Sequence, residues 1–307
     1  MDTVELGRTG LKLAPLGVGT MSWGRTSPLA YGGTGDPQAE VAALDTLLAA
    51  GVNLVDTAEM YRNERRVGEL VGGRSEVVLA TKYAPFPFRR RSRVLTALDH
   101  SLARLGRRHV ELYQVHMAPR TMSIPALMRE LAVAHRDGRV RAIGVSNFNA
   151  EQTRTAHATL AAEGIPLASN QMQYSLLHRQ PETDGVLDTC GELGITLIAY
   201  MPLASGALTG RYTAGNRPGG IRRFMPQFRA GNLEAIRPVI ALLDELGRAH
   251  GVAPATVALR WLIQRGTLPI PGAKNARQAA TNAAALTIQL DDAELDALST
   301  ATERWRH

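Results

Sequence analysis

Short apolar segments alternate with amphipathic helical segments eight times along the chain, and this repeat limits the possible folds more than any other feature. The predicted strands are residues 16–21, 53–56, 77–82, 111–116, 140–145, 168–171, 196–200 and 268–271. The predicted helices are residues 38–50, 64–71, 93–105, 123–137, 150–162, 182–193, 233–250, 254–265 and 276–284. Apolar strands separated by helices favour a parallel sheet covered by helices. Eight such units predict an α/β fold, a closed (β/α)8 barrel of the TIM type.

Three further segments predict additions to that barrel. The alternating residues 3–13, around a glycine, predict an N-terminal β-hairpin that covers the barrel floor. A glycine-rich loop spans residues 24–36, and the longest stretch without periodicity is 202–232. Long loops of this kind are usually functional, so we expect extra loops at the C-terminal face. No break in composition marks a linker, and a single domain over residues 1–307 is predicted.

The composition excludes several classes of protein. The net charge of +7 comes without an RNP, zinc-finger or arginine-stripe pattern, which favours an arginine-rich surface over nucleic-acid binding. The lone Cys190 leaves no internal disulfide and no cysteine metal cluster. The first residues lack a signal-peptide pattern, and no apolar run approaches the ~20 residues of a membrane helix. We therefore expect a cytoplasmic protein that needs neither a metal nor a membrane, with its oligomeric state left open.

Ionisable side chains stand at the ends of three early strands. Asp56 ends the second strand and Tyr61 follows five residues later, while Lys82 and His116 end the third and fourth strands. Taken singly, these residues could be a helix cap, a packed aromatic, a surface lysine and a core histidine. Because parallel strands end at one rim of a barrel, we instead expect the four side chains to meet in a site.

Such a set can deliver a proton to a substrate oxygen. A free tyrosine has a pKa of about 10, which is too high for an efficient acid or base in both directions, and a nearby ammonium group would lower that pKa. We therefore predict that Tyr61 donates the proton and that Lys82 tunes it. Asp56 is predicted to keep Lys82 charged, and His116 to donate a hydrogen bond that orients the substrate oxygen.

These residues, with three motifs, resemble the aldo-keto reductase family, whose catalytic tetrad has this Asp, Tyr, Lys and His in this chain order. The motifs are Gly17-Val-Gly-Thr-Met21, Ile143-Gly-Val-Ser-Asn-Phe148 and Ile270-Pro-Gly-Ala-Lys-Asn-Ala-Arg-Gln278. The resemblance covers nearly the whole chain and is greatest to bacterial and plant members that include pyridoxal and general aldehyde reductases. It implies an NADPH-dependent oxidoreductase that reduces an aldehyde or ketone to an alcohol, with hydride from the nicotinamide and Tyr61 as the general acid.

The resemblance also implies which residues bind NADPH or NADP+. The nicotinamide end would be held by Gly19, Thr20, Met21, Asp56, Ser146, Asn147, Gln171 and Tyr200, the last stacking on the ring. The pyrophosphate loop would include Pro202, Leu203, Ser205, Gly206, Arg211 and Arg222, with Arg223 as an alternative to Arg222. The adenosine end would be held by Gly272, Lys274, Gln278 and Asn282, and a cation at Lys274 favours NADPH over NADH.

Some positions depart from the family pattern. Arg62 follows the tetrad tyrosine where relatives usually have glycine, Met117 replaces an aromatic, and Thr281 replaces a glutamate that precedes the asparagine in many members. Trp23, Tyr31 and Phe86 are expected to shape the substrate pocket, together with residues 202–232.

The substrate stays open among a pyridoxal-like aldehyde, a sugar or keto-sugar, and a polyketide ketone. The basic run 89–91 has two interpretations: it binds an acidic or phosphorylated substrate, or it is a solvated run of charges at the surface. A second function is a nicotinamide-binding regulatory module, like the family's potassium-channel β subunits. The short N-terminus favours the metabolic enzyme.

Overall fold

Ten strands form a small hairpin and a barrel in the computed structural model of the protein, which describes residues 3–24, 36–85, 94–120 and 122–306. Tyr31, Phe86 and the basic run 89–91, expected near the substrate, lie outside the described residues. The hairpin consists of β1 (Val4–Glu5) and β2 (Lys12–Leu13), which are antiparallel. The barrel strands are β3 (Gly17–Gly19), β4 (Leu54–Asp56), β5 (Val78–Tyr83), β6 (Val110–Val115), β7 (Val140–Ser146), β8 (Leu167–Gln173), β9 (Thr196–Tyr200) and β10 (Leu268–Pro269).

The eight barrel strands are parallel, and each pairs with the next one along the chain. The first and last strands meet where the Gly19 amide donates a 3.1 Å hydrogen bond to the Pro271 carbonyl. A side chain at either motif glycine would crowd this seam, because a Cβ at Gly17 would lie 3.0 Å from the Ile270 side chain and one at Gly19 3.0 Å from the Ile270 carbonyl oxygen. The prediction of a (β/α)8 barrel is confirmed.

The hairpin closes the N-terminal end of the barrel, as predicted. Leu6 and Leu13 are fully buried against the interior residues that begin the barrel strands, such as Leu54 and Val78. Gly7, with φ of 57°, approaches β8 so closely that a Cβ there would lie 2.6 Å from the Ala168 carbonyl oxygen. The hairpin therefore leaves the opposite, C-terminal end of the barrel uncovered.

Ten helices lie in the described part of the chain. They are α1 (Pro37–Ala49), α2 (Glu64–Val71), α3 (Val94–Leu105), α4 (Ile124–Arg136), α5 (Ala150–Ala161), α6 (Val186–Leu193), α7 (Ala230–Ala249), α8 (Pro254–Gln264), α9 (Ala276–Ala283) and α10 (Asp292–Ala301). Helix α6 begins four residues later than predicted, after a separate 3-10 turn at Gln180–Glu182 and a left-handed Gly185. The sequence-based prediction omitted α10, although Asp291 and Glu294 form a capping box at its start.

The segment 202–232 is less irregular than its sequence indicates. It contains 3-10 turns at Ala204–Thr209, Gly220–Phe224 and Pro226–Phe228, and α7 begins three residues earlier than predicted. Among the described helices, none combines the length and apolar character needed to cross a bilayer. The described residues also contain no group of three or more His, Cys, Asp or Glu that could hold a metal ion.

Candidate active site

The four ionisable side chains are carried to one rim of the barrel. Asp56 is the last residue of β4, Lys82 lies one residue before the end of β5, and His116 directly follows β6. Tyr61 ends a 3-10 turn, Glu59–Tyr61, that follows β4. The strand ends thus lie beside one another at the C-terminal rim, as the sequence predicts.

Lys82 is fully buried, and its charge has two partners. Its Nζ forms an ion pair with Asp56 Oδ2 and donates a 2.9 Å hydrogen bond to the Thr57 carbonyl. The other carboxylate oxygen, Asp56 Oδ1, accepts hydrogen bonds from the side-chain amides of Gln171 at 3.0 Å and Gln114 at 3.2 Å. Asp56 is therefore fixed on both oxygens, and the ammonium has a defined position.

Two opposing effects act on the ammonium. Burial lowers the pKa of Lys82 below its ordinary value, whereas the Asp56 carboxylate and, more weakly, the Glu64 carboxylate act to raise it. A lysine buried without a carboxylate would lose its proton more readily. The ion pair thus supports the positive charge that sequence reasoning required beside the tyrosine.

Tyr61 lies between this lysine and the histidine. Lys82 Nζ is 5.2 Å from the centre of the Tyr61 ring, and the His116 ring meets Tyr61 edge-on with ring centres 5.9 Å apart. Burial and the charge of Lys82 lower the pKa of His116 to about 3. Near neutral pH the imidazole is therefore uncharged, with one N–H to donate and one nitrogen to accept.

The depressed pKa of His116 predicts a loss of stability in acid. The imidazole of the unfolded chain takes up a proton near pH 6.5, whereas that of the folded protein stays neutral down to about pH 3. Between these limits the unfolded state binds more protons, so the free energy of unfolding falls as the pH falls. Urea unfolding at pH 7 and at pH 5 should show a larger fall for the wild type than for His116→Asn. Equal falls would mean that folding does not depress the His116 pKa.

The residues predicted to bind the nicotinamide carboxamide adjoin His116. Asn147, at φ of 55°, donates to the His116 carbonyl at 3.1 Å and accepts a 3.0 Å hydrogen bond from the Tyr200 hydroxyl. Ser146 Oγ donates to the Gln171 carbonyl at 2.8 Å. A cleft of about 230 Å³ opens beside Asn147 and Tyr200. The structure therefore brings these four predicted residues together, although the Gln171 amide nitrogen points to Asp56.

The segment after β3 contacts the same strand ends. Thr20 is fully buried, and both its amide and its hydroxyl donate to the Asp56 carbonyl at 2.9 Å. Gly19 and Met21 flank it. Trp23 is fully buried and donates to the Ala273 carbonyl at 2.6 Å, so the expectation that it forms a wall of the substrate pocket is wrong. It instead joins this segment to the loop after β10.

The predicted pyrophosphate loop has an unusual backbone. Met201, Ala204 and Ser205 have φ of 52°, 48° and 58°, and Gly206 has φ of 97°. This bend follows Tyr200 and includes Pro202 and Leu203, whose carbonyl accepts from the Gly206 amide at 2.8 Å. Arg222 donates to the Ser205 carbonyl at 3.3 Å, and a Cβ at Gly206 would lie 3.8 Å from its Nη1. Arg222, rather than Arg223, thus faces the loop.

Positive charges converge at the far end of this loop. Burial lowers the pKa of Lys274, and the charges of Arg222 and Arg211 lower it further. Arg211 and Arg222 also both lie over the Tyr212 ring, with guanidinium carbons 5.7 and 5.6 Å from its centre. Three cations that repel one another beside a glycine-containing bend fit an anionic group such as a phosphate.

Lys274 belongs to a compact turn at the start of α9. Its amide donates to Gln278 Oε1 at 2.8 Å, and Asn282 Nδ2 donates to the Gly272 carbonyl at 3.2 Å. The Thr281 hydroxyl, at the position that departs from the family pattern, bonds back to the Arg277 carbonyl. The predicted adenosine-binding residues therefore lie in one turn and the helix that follows it, and Lys274 among them is close to Arg211 and Arg222.

Comparison with known proteins places this geometry in a family. The family model described as the aldo/keto reductase family matches residues 15–303. The chain belongs to the aldo-keto reductase family. It is 35% identical to the chloroplastic pyridoxal reductase of Arabidopsis thaliana, over 92% of this chain and 82% of that protein. It is 38% identical to an uncharacterised oxidoreductase of Mycobacterium bovis, over 96% and 91% of the two chains.

Solved structures of aldo-keto reductases have the same fold. The glycerol dehydrogenase from Gluconobacter oxydans superposes with a TM-score of 0.85 at 26% identity, covering 99% of this chain and 95% of its own. A thermostable aldo-keto reductase in complex with the inhibitor epalrestat superposes with a TM-score of 0.78 at 28% identity, covering 98% and 100%. This aldo-keto reductase is thus an oxidoreductase of a family that acts on small molecules and generally uses nicotinamide cofactors.

Sequence reasoning missed several residues that hold the tetrad. Gln114 supports Asp56, and the Thr57 carbonyl supports Lys82. Gln114 lies two residues before His116 on β6, and residues at that spacing share a face of a strand, so its inward position was available from the sequence. The hydrogen bond that the Thr57 carbonyl accepts from Lys82 could not be predicted in this way, because every residue has a backbone carbonyl.

Proposed function

We propose that this chain is an NADPH-dependent reductase of aldehydes or ketones, in which Tyr61 protonates the carbonyl oxygen. The observation that carries the proposal is the position of Tyr61 at the barrel rim, between a buried lysine paired with Asp56 and an uncharged His116. NADPH, when bound, supplies the hydride for the carbonyl carbon. The residues of the chain position the reactants and handle the proton.

The proton comes from the Tyr61 hydroxyl. As that proton leaves, negative charge develops on the phenol oxygen, and the Lys82 ammonium close to the ring stabilises it. The ion pair with Asp56 and the hydrogen bond to the Thr57 carbonyl hold the ammonium in place during this change. In the reverse direction, the same charge favours the phenolate that would accept a proton from an alcohol.

His116 orients the carbonyl without competing as an acid. Its depressed pKa keeps the ring neutral, so an N–H can donate to the substrate oxygen while the proton transferred is that of Tyr61. Because its ring contacts the Tyr61 ring, the two groups are close enough to serve the same carbonyl. We propose this division of labour for all four tetrad residues.

The cofactor would be held by the residues that the structure groups at the rim. Ser146, Asn147 and Gln171 would bind the carboxamide, and Tyr200 would pack on the nicotinamide ring. Arg211, Arg222 and Lys274 would neutralise the phosphates, and their mutual repulsion supports an anion between them. Because NADPH carries a 2′-phosphate that NADH lacks, a cation at Lys274 favours NADPH.

Lys274→Ala is expected to weaken NADPH binding by about 10- to 100-fold, the usual loss when a hydrogen bond to a charged group is removed. NADH binding should change by less than about threefold, because NADH lacks the 2′-phosphate. Fluorescence titration of both coenzymes measures this difference. Lys12→Ala, which removes an exposed lysine of the hairpin, serves as the matched control. Equal losses for the two coenzymes would refute recognition of the 2′-phosphate by Lys274.

The Arabidopsis pyridoxal reductase makes pyridoxal the first substrate to test, followed by sugar and ketone panels. Oxidation of NADPH by the purified protein, measured by absorbance, tests the reductase proposal directly. If NADPH binds tightly and no carbonyl compound is reduced, the chain acts as a nicotinamide-binding module instead. That residues 1–307 form a single catalytic domain, and that the protein is cytoplasmic, also stay predictions.

A further inference from the structure

The other tetrad residues surround the Tyr61 side chain, but they do not explain how the 3-10 turn Glu59–Tyr61 is held in place. After Tyr61 the chain passes through Arg62 in a left-handed conformation, with φ of 56°. Glycine adopts this conformation most readily, whereas arginine is strained by about 1–2 kcal/mol. A strained residue persists only where its surroundings determine the backbone. Its neighbour Asn63 has a buried, hydrogen-bonded side chain.

Asn63 occupies the N-cap position of α2 but does not act as a cap. An asparagine at this position usually accepts a hydrogen bond from the first turn of its own helix. Here the side chain makes no such bond. It is 2% exposed and reaches away from the helix, toward the barrel rim. The ordinary helix-capping role therefore does not account for it.

The Asn63 amide group makes three hydrogen bonds, to Thr20, Trp23 and Thr57. Its Nδ2 donates to the Thr20 carbonyl at 2.7 Å and to the Trp23 carbonyl at 3.1 Å. Its Oδ1 accepts from the Thr57 hydroxyl at 2.8 Å. The Thr57 carbonyl in turn accepts from Lys82 Nζ at 2.9 Å. One buried amide thus joins the turn of Tyr61 to the residue that holds Lys82.

The same amide joins the turn to the segment after β3. Thr20 lies in the stretch Gly19–Met21, which the family resemblance assigns to the nicotinamide end of the cofactor, and its side chain donates to the Asp56 carbonyl. On the other side of Tyr61, the Glu59 carboxylate accepts from the Ala84 amide at 2.6 Å, just beyond Lys82 on the chain. The turn is therefore held on both sides, and Asn63 connects it to the Gly19–Met21 segment.

We propose that Asn63 is a positioning residue that holds Tyr61 at its distance from Lys82 and from the nicotinamide. It touches neither substrate nor reacting atoms and acts through the Tyr61 turn and Thr57. This inference rests on the proposed function. Its consequence is that loss of the Asn63 side chain slows proton transfer without removing any tetrad residue.

The test is the pH dependence of alcohol oxidation with NADP+, in which Tyr61 must first lose its proton. Among the described residues, Lys82 and His116 lie against the Tyr61 ring, Asp56 is paired with Lys82, and Glu59 belongs to the same turn. These four ionisable groups all remain in the variants. In Asn63→Ala, kcat should fall by about 10- to 100-fold, as expected for a displacement of about 1 Å, with a much smaller change in KM. The pH of half-maximal oxidation should rise, because Lys82 would stabilise the Tyr61 phenolate less.

Two controls separate positioning from general destabilisation. Asn53→Ala removes an asparagine that accepts from the Ala14 amide at 3.2 Å and donates to the Lys12 carbonyl at 3.4 Å, at the closed end of the barrel. This variant should lose stability and keep the wild-type pH profile. Thr57→Val loses the hydroxyl that bonds Asn63, whereas Thr57→Ser keeps it. Thr57→Val should shift the profile in the same direction as Asn63→Ala, and Thr57→Ser should restore it.

The outcomes are distinguishable. A folded Asn63→Ala with the kcat and pH profile of the wild type would overturn the proposal. If Asn63→Ala does not fold, the comparison of Thr57→Val with Thr57→Ser decides, and identical profiles for these two would overturn it. A wild type that oxidises no alcohol and reduces no carbonyl, or an active Tyr61→Phe, would instead show that the proposed function has failed.

Discussion

Tyr61→Phe is expected to lower kcat for carbonyl reduction by about 10²- to 10⁴-fold, the range for loss of a general acid. The variant keeps the aromatic ring that packs edge-on against His116, so neither the fold nor the cofactor contacts should change. NADPH affinity should stay within about twofold of the wild type. Steady-state kinetics and fluorescence titration measure the two effects separately.

Tyr174→Phe is the matched control for that experiment. The Tyr174 hydroxyl donates to the Glu182 carboxylate at 2.8 Å, away from the rim. Its removal should cost about 1.5–3 kcal/mol of stability, as for other hydrogen bonds to charged groups, and leave kcat intact. A Tyr61→Phe variant that reduces carbonyls at the wild-type rate would refute the assignment of Tyr61 as the acid.

Lys82→Met is expected to abolish activity and also to destabilise the fold by about 3–5 kcal/mol, because it leaves the buried Asp56 carboxylate without its cation. Equilibrium unfolding in urea measures the second effect. The destabilisation should be much larger than that of Lys12→Ala, which removes an exposed lysine. A Lys82→Met variant as stable as the wild type would mean that the ion pair does not survive in solution.

The double variant Asp56→Asn with Lys82→Met separates stability from catalysis. An asparagine at residue 56 can still accept hydrogen bonds from Gln114 and Gln171, and no unpaired charge remains. We therefore expect the double variant to recover most of the lost stability. It should stay inactive, because no ammonium remains beside Tyr61. Recovery of activity would mean that the lysine charge is not needed.

The sequence predicts most of the barrel and the meeting of the four tetrad side chains. Both follow from patterns a few residues long, namely the alternation of strands and helices and the polar residues where strands end. Helix α10 was omitted because the eight-fold repeat is already complete before it, although its capping box is visible in the sequence. The start of α6 was misplaced because the 3-10 turn at Gln180–Glu182 has the helical pattern of the helix that follows.

The parts that the sequence does not predict depend on contacts between distant residues. Trp23 was expected at the pocket, but its partner, the Ala273 carbonyl, is 250 residues away. The sequence does not distinguish Arg222 from Arg223 as the arginine of the pyrophosphate loop. The folded loop does, because it brings Arg222 to the Ser205 carbonyl. Asn63 has the local pattern of a helix cap, and its partners are set by tertiary packing rather than by its neighbours.

The seam between β3 and β10 brings together residues from the two ends of the chain. The Gly19–Met21 segment lies on one side of it and Gly272, Lys274 and their neighbours on the other. Contacts of such wide separation close the longest loop and are entropically the most demanding to form. The proposed coenzyme site of a growing polypeptide is therefore incomplete until its last strand has been synthesised and docked, and a truncated product would lack it however well its earlier strands had assembled.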